Sequence, residues 1–165
     1  MLQGAALMVS TTQPAFQDQL QGNHCWGCGK DNPHGLQIKS YWDGAEAICH
    51  WQPQPWHCAS PTHVVNGGII GALIDCHAII SAMALAAQQA GVALSSPTPI
   101  WYVTGKLEIA YHKPTPLGPS LELRARFEVQ NERKTLVTCT LNAADQLCAT
   151  GTVLAVRVPS EWMRS

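Results

Sequence analysis

Apolar and polar residues alternate without a break over residues 121–129. Leu121, Leu123, Ala125, Phe127 and Val129 interleave with Glu122, Arg124, Arg126 and Glu128. A period of two puts the first set on a buried face and the second in water, which predicts a strand over 120–130 with one wet face. Segments 100–112, 135–142 and 146–159 also read as strands, divided by turn-forming Asn131–Lys134 and Ala143–Asp145. Upstream, 36–41 and 45–52 flank Trp42-Asp43-Gly44 and predict a hairpin. Residues 53–62 carry Pro53, Pro55 and Pro61 and predict a loop. Between the two strand groups the period of two disappears. Residues 67–90 are almost wholly apolar, with Asn66 placed to cap a helix and Gly91 to end it.

The predicted order is two strands, one long helix, then four strands. Strands joined by short turns pair antiparallel. The sheet is the only surface on which the helix can bury its sides. These demands predict an α+β domain in which a curved antiparallel sheet wraps one long central helix. The chain of 165 residues suffices for one such domain, placed at 23–160, with 1–22 as a loosely ordered leader.

Composition narrows the setting. The formal net charge is −1 and no basic run occurs, so no nucleic-acid platform is expected. Seven cysteines, irregularly spaced, together with a first stretch unlike a signal peptide, point to a reducing compartment and a cytoplasmic location. Residues 69–87 are long enough to span a bilayer, but Asp75 in their midst costs about 2.5–3.5 kcal/mol on insertion scales. No membrane association is expected.

Asp75 is the chemical anomaly of the helix, because carboxylates in apolar runs are paired or used. Stepping 100° per residue, Gly68, Gly71, Ala72, Ala78, Ala82 and Ala86 fall within about 60° of it. Ile79 is the one large residue on that side. Ile69, Leu73 and Ile80 lie roughly 120–160° away and predict the sheet-packing face. The Asp75 face is stripped of bulk, which suits a ligand, a partner helix or both. His77 falls about 200° from Asp75, so the two do not form a linked pair. Cys76 reads as a buried structural thiol.

The run Asn66-Gly-Gly-Ile-Ile-Gly-Ala-Leu-Ile-Asp75 resembles the signature of hotdog-fold thioesterases of the PaaI-like group. Their pattern is His-Gly-Gly and then Leu-x-Asp, the acid nine residues after the His. The stretch Val103–Tyr111, followed by Pro114 and Gly118, is similar to the family's strand after the helix. The resemblance covers roughly residues 35–158. It implies a hotdog fold, an acyl-CoA or related thioester as substrate, and a site made across a homodimer or within a tetramer. It implies Asp75 as nucleophile or base and the Gly67 N–H as the group that polarises the carbonyl. It also implies a water-holding role for Thr104 and an orienting role for Asn66. A helix N-terminus suits a developing oxyanion. Gly67 and Asp75 are eight residues apart, about 12 Å along one helix, so one chain cannot present both to one carbonyl. Asn66 stands where the family has His, and an amide carries no proton.

Gly68, His63 and Lys113 are the candidate substrate contacts: Gly68 on the small-residue face, His63 just ahead of the helix, Lys113 at the end of the Thr104 strand. Arg124, Arg126, Arg133 and Lys134 could meet CoA phosphates, but read first as solvated edge and turn charges. Cys25-x-x-Cys28, with His24 and His34 close by, raises zinc, but the spacing fits no standard finger and reads equally as a tight turn. No metal is assigned and no cofactor is required. Trp51 and Trp101 are expected in the core. Two other readings stand beside thioester hydrolysis: a hotdog hydratase or dehydratase, which needs a catalytic His, and a binding module without turnover.

Overall fold

The computed structural model describes residues 13–164. Six strands form one antiparallel sheet: β1 (Ser40–Asp43), β2 (Glu46–Trp51), β3 (Trp101–Tyr111), β4 (Leu121–Asn131), β5 (Lys134–Ala143) and β6 (Gln146–Val158). Their spatial order is β1-β2-β4-β5-β6-β3. The three short turns give the three neighbouring hairpins. β3 instead crosses to the far edge and pairs with β6. The long helix α2 (Gly67–Ala90) packs against β3, β4, β5 and β6. This is the sheet packed on one long helix expected from the order of elements, and the hotdog fold that the resemblance implies.

The helix ends where its sequence says. Asn66 Oδ1 accepts from the N–H groups of Gly68 and Ile69, and Gly91 closes the last turn at φ 66°. α2 passes the length and composition test for a membrane span, yet its inner face is core. That face comprises Ile70, Leu73, Ile74, His77 and Ile80, each 3% exposed or less. Ile69, expected among them, is only partly buried; the face is centred nearer His77. Each fully buried Leu or Ile contributes about 1.5–3 kcal/mol. Gly151 on β6 lets the helix come close, since a Cβ there would sit 2.4 Å from Ile74 Cγ2.

Two expectations about the first forty residues change. The leader is not loose over residues 15–20. A short helix, α1 (Phe16–Gln19), buries Ala15, Phe16 and Leu20 against the domain. Gln17, wholly buried, donates to Ser40 Oγ (2.9 Å) and accepts from Ser40 N–H (2.8 Å). Residues 1–12 of that leader lie outside the described residues. The first strand also begins at Ser40 rather than 36, because Leu36 and Ile38 donate backward to Trp26 and Gly27. They clamp the Cys25–Cys28 turn onto the sheet.

Candidate active site

β3 delivers its side chains to α2 through a change of register. Between Thr104 and Lys106 the pairing with β6 slips by one residue. The extra residue is Gly105, where a Cβ would lie 2.7 Å from Val156 Cγ2. A one-residue bulge reverses which face each later side chain takes. Tyr102 and Thr104 face the helix before it, and Ile109 and Tyr111 after it. Thr104 Oγ1 donates to Asp75 Oδ1 at 2.6 Å, and Tyr111 Oη donates to the Gly67 carbonyl at 2.7 Å. Ile109 fills the space left by Gly71, whose Cβ would meet it at 3.3 Å.

Asp75 is half-buried on the wall of a cavity of about 470 Å³. The cavity is mostly apolar: Leu20, Ile79, Met83, Trp101 and Met163 line it beside Asp75 and Thr104. Burial pushes the Asp75 carboxyl up from its ordinary value, against the Thr104 hydroxyl, which lowers it, while negative charge on Cys25 adds a smaller upward push. A carboxylate biased toward neutrality at the edge of an apolar chamber is suited to taking up a proton. Trp101, expected in the core, is a half-buried cavity wall instead. Trp51 is core, and its Nε1 donates to Leu36 O at 2.8 Å.

The opposite end of α2 forms a separate half-site. Asn66 spends its side-chain oxygen on the amides of Gly68 and Ile69. Among the described residues the Gly67 N–H has no acceptor, whereas the Gly68 N–H is committed to the cap. Gly67, Tyr111 and Lys113 line a groove of about 340 Å³. His63 is exposed in the preceding loop, outside the lining of that groove. Asp75 with Thr104, and Gly67 with Lys113, are therefore brought together in pairs. The two pairs stand about 12 Å apart along one helix. Arg124 is ruled out as a phosphate contact by its ion pairs with Asp43, Glu46 and Glu122.

A thioesterase superfamily protein from Shewanella loihica PV-4 is 37% identical to this chain, with a TM-score of 0.60, over 78% of this chain and 96% of that one. The chain belongs to the thioesterase superfamily. The fold is also that of Escherichia coli PaaI, from the phenylacetic acid degradation operon (13% identity, TM-score 0.60, 75% and 81% covered). A phenylacetic acid degradation-related protein from Ralstonia eutropha JMP134 shares it too (20%, 0.59, 74% and 86%). No protein-family model and no curated protein matches the sequence.

Two features of this superfamily member escape a reading by residue spacing, the place of Cys76 in a thiol cluster and the direction of Tyr111. Cys76 faces the same cavity as Asp75, with its Sγ 3.7 Å from that of Cys25. Cys28 completes a cluster of three thiols. Hydrogen bonds from Cys28 and Cys76 pull the Cys25 thiol down, and the other two are pushed up in return. His77 turns the other way. Wholly buried, it pairs through Nδ1 with Ser40 Oγ (2.8 Å) and through Nε2 with Ala47 O (3.2 Å). Burial depresses it to about 4, so it is a neutral structural histidine. It cannot supply the histidine of a hydratase. Tyr111, which no spacing rule singles out, is found only once the Gly105 bulge sets its direction.

Proposed function

We propose that the chain hydrolyses an acyl-CoA or related thioester in a site completed by a second copy of itself. The bond from Thr104 to Asp75 at 2.6 Å, beside a cavity large enough for an acyl group, is the observation that carries this reading. Asp75 acts as base for water or as nucleophile. In the water route Asp75 takes the proton, and the water oxygen, steered by Thr104, bonds to the carbonyl carbon. The carbonyl oxygen gains charge and is met by the Gly67 N–H at the helix N-terminus. The C–S bond then breaks, and the departing thiolate recovers the proton from Asp75.

Separation of the half-sites and an open sheet edge support the second copy. β3 pairs with β6 on one side only, and residues 104–108 are exposed. Long open edges are templates for a further strand. Pairing two β3 strands about a two-fold axis makes them antiparallel. The helices that lie along them then run antiparallel as well, which opposes the Gly67 end of one to the Asp75 of the other. Lys113, beside Gly67, is positioned to meet phosphate of the thiol carrier.

The test is loss of thioester absorbance across short, long and aromatic acyl-CoAs. A direct optical readout avoids thiol dyes, which the seven cysteines would consume. Asp75→Asn should lower turnover about 10²–10⁴-fold, the span of a positioned acid or base. Equal turnover by wild type and Asp75→Asn removes the assigned role. Tight acyl-CoA binding with no hydrolysis of any thioester returns the chain to a binding module.

A further inference from the structure

The loop at residues 23–29 is built around sulfur. Cys25 N–H donates to Asn23 Oδ1 (3.1 Å), and Gly29 N–H donates to Cys25 O (2.8 Å). Two glycines make the turn possible. A Cβ on Gly29 would lie 2.4 Å from Asn23 O, and one on Gly27 would lie 2.3 Å from Cys76 Sγ. The second figure matters more, because it shows the loop folded directly onto the helix at a thiol. The sulfurs of Cys25, Cys28 and Cys76 all lie within 4.8 Å of one another, and those of Cys25 and Cys76 are 3.7 Å apart.

That spacing has a chemical meaning. Sulfurs bound at about 2.3 Å to one tetrahedral zinc ion stand about 3.8 Å from each other. A disulfide would use two of the three thiols and leave the third without a role, while a metal uses all three. We propose that Cys25, Cys28 and Cys76 bind a thiophilic divalent cation of the zinc class, with its fourth coordination position opening into the cavity that holds Asp75. Three S–metal bonds form as the thiol protons pass to solvent. All three cysteines line that cavity. His24 and Asp75 line it too but stand outside the sulfur cluster, so the fourth position is left to solvent or ligand. Three protein ligands with an open fourth position is the pattern of zinc sites that take an exogenous ligand. The ion would also tie the turn to α2, since its ligands are separated by 51 residues of chain.

Metal binding is tested on the full chain, reduced, chelator-stripped and desalted, by anaerobic titration with Co²⁺. The expected result is saturation at one equivalent per chain, with a thiolate-to-cobalt charge-transfer band and intense four-coordinate d–d bands that Zn²⁺ bleaches. Cys76→Ser should remove about a third of the charge-transfer band. It should also weaken binding at least about tenfold, as ligand-shell changes do. Cys25→Ser, at an exposed position, should do the same and covers the case in which Cys76→Ser fails to fold. Cys58→Ser, outside the cluster, should change nothing. No band at excess Co²⁺, or wild-type binding by both cluster variants, overturns the proposal. So does a Cys25–Cys28 or Cys25–Cys76 disulfide found by peptide mapping of protein held with Zn²⁺. The titration has no hydrolytic readout, so its failure is distinct from failure of the thioesterase reading.

Discussion

If each reaction centre takes Gly67 from one subunit and Asp75 from the other, two dead variants should repair one another. Asp75→Asn is the first. Gly67→Pro is the second, and the structure makes it a clean change. Gly67 is the first residue of α2, where proline is favoured and no intrahelical hydrogen bond is lost. Asn66 already has ψ 133°, the extended value that a residue before proline prefers. A Cβ at 67 would meet Tyr111 no closer than 3.5 Å, an ordinary contact. The substitution removes one N–H, the one proposed to receive the oxyanion. Loss of one such donor costs about 10²–10³ in kcat. Each variant alone should be nearly inactive with unchanged thermal stability. Co-expressed under two different tags and purified through both, the heterodimer holds one intact centre and one doubly broken one. It should turn over at about half the wild-type rate per dimer, the share set by two-fold symmetry. A tag-pure heterodimer as inactive as its parents refutes the shared centre. A fully active Gly67→Pro homodimer refutes the role of that amide.

Other perturbations test separate parts of the structure. Thr104→Ala removes the hydroxyl proposed to steer water beside Asp75; taking a hydrogen bond in a charged site as about 1.5–3 kcal/mol in the transition state, kcat/KM should fall roughly 10- to 150-fold, and Thr104→Ser should restore most of it; equal loss in both variants would deny the hydroxyl its role. Ser40→Ala leaves Gln17 Nε2 and His77 Nδ1 buried without their partner, at about 1–3 kcal/mol each, which urea denaturation should register as a lower midpoint at unchanged slope. His77 is held neutral by burial at about 4 against about 6.5 when unfolded, so the unfolded chain binds more protons between those values. Stability should be complete above about pH 6.5 and fall by about 3 kcal/mol as pH drops toward 4, measured in chelator; a profile flat across that window contradicts the buried neutral ring. Gly151→Ala overpacks the helix–sheet contact at Ile74 and should cost about 1–3 kcal/mol; an unmoved melting temperature would show the approach to be looser than drawn.

Much of the fold could be read from local chemistry. Alternation over 121–129 placed β4 to within two residues, because one face of that strand is buried and the other wet. Asn66 and Gly91 marked both ends of α2, because a cap and a left-handed stop are local events. Signals fail where the cause is distant. Gln17 reads as solvated until Ser40, 23 residues away, takes both of its amide groups. The order of the sheet was beyond pattern as well, since β3 reaches β6 across two hairpins. At Gly105 a single extra residue inverts the parity of β3. Read straight, the strand would put Thr104 and Tyr111 on opposite faces, yet both meet α2.

Asp75-Cys76-His77 shows most sharply how a helix divides what a sequence joins. On paper it is an acid, a thiol and an imidazole in a row, which invites a catalytic triad. At 100° per residue the three cannot share one environment. Asp75 turns to β3 and meets a hydroxyl. Cys76, one step round, still borders the cavity but reaches the two thiols of the 23–29 turn. His77, a further step on, enters the core and is consumed by Ser40 and Ala47. The separation has a consequence for reactivity. The histidine that might have shared a proton with Asp75 is fixed and neutral on the far side, and Asn66 supplies no proton at the other end of the helix. Asp75, held by Thr104, is the group proposed to move a proton at its end of α2, in a cavity that His24 and the three thiols also line. In the proposed reaction the group that activates the carbonyl comes from elsewhere, and the amide of Gly67 lies too far along the same helix to serve Asp75 within one chain. The arrangement of three consecutive side chains thus agrees with the proposed dimer, as the open edge of β3 does.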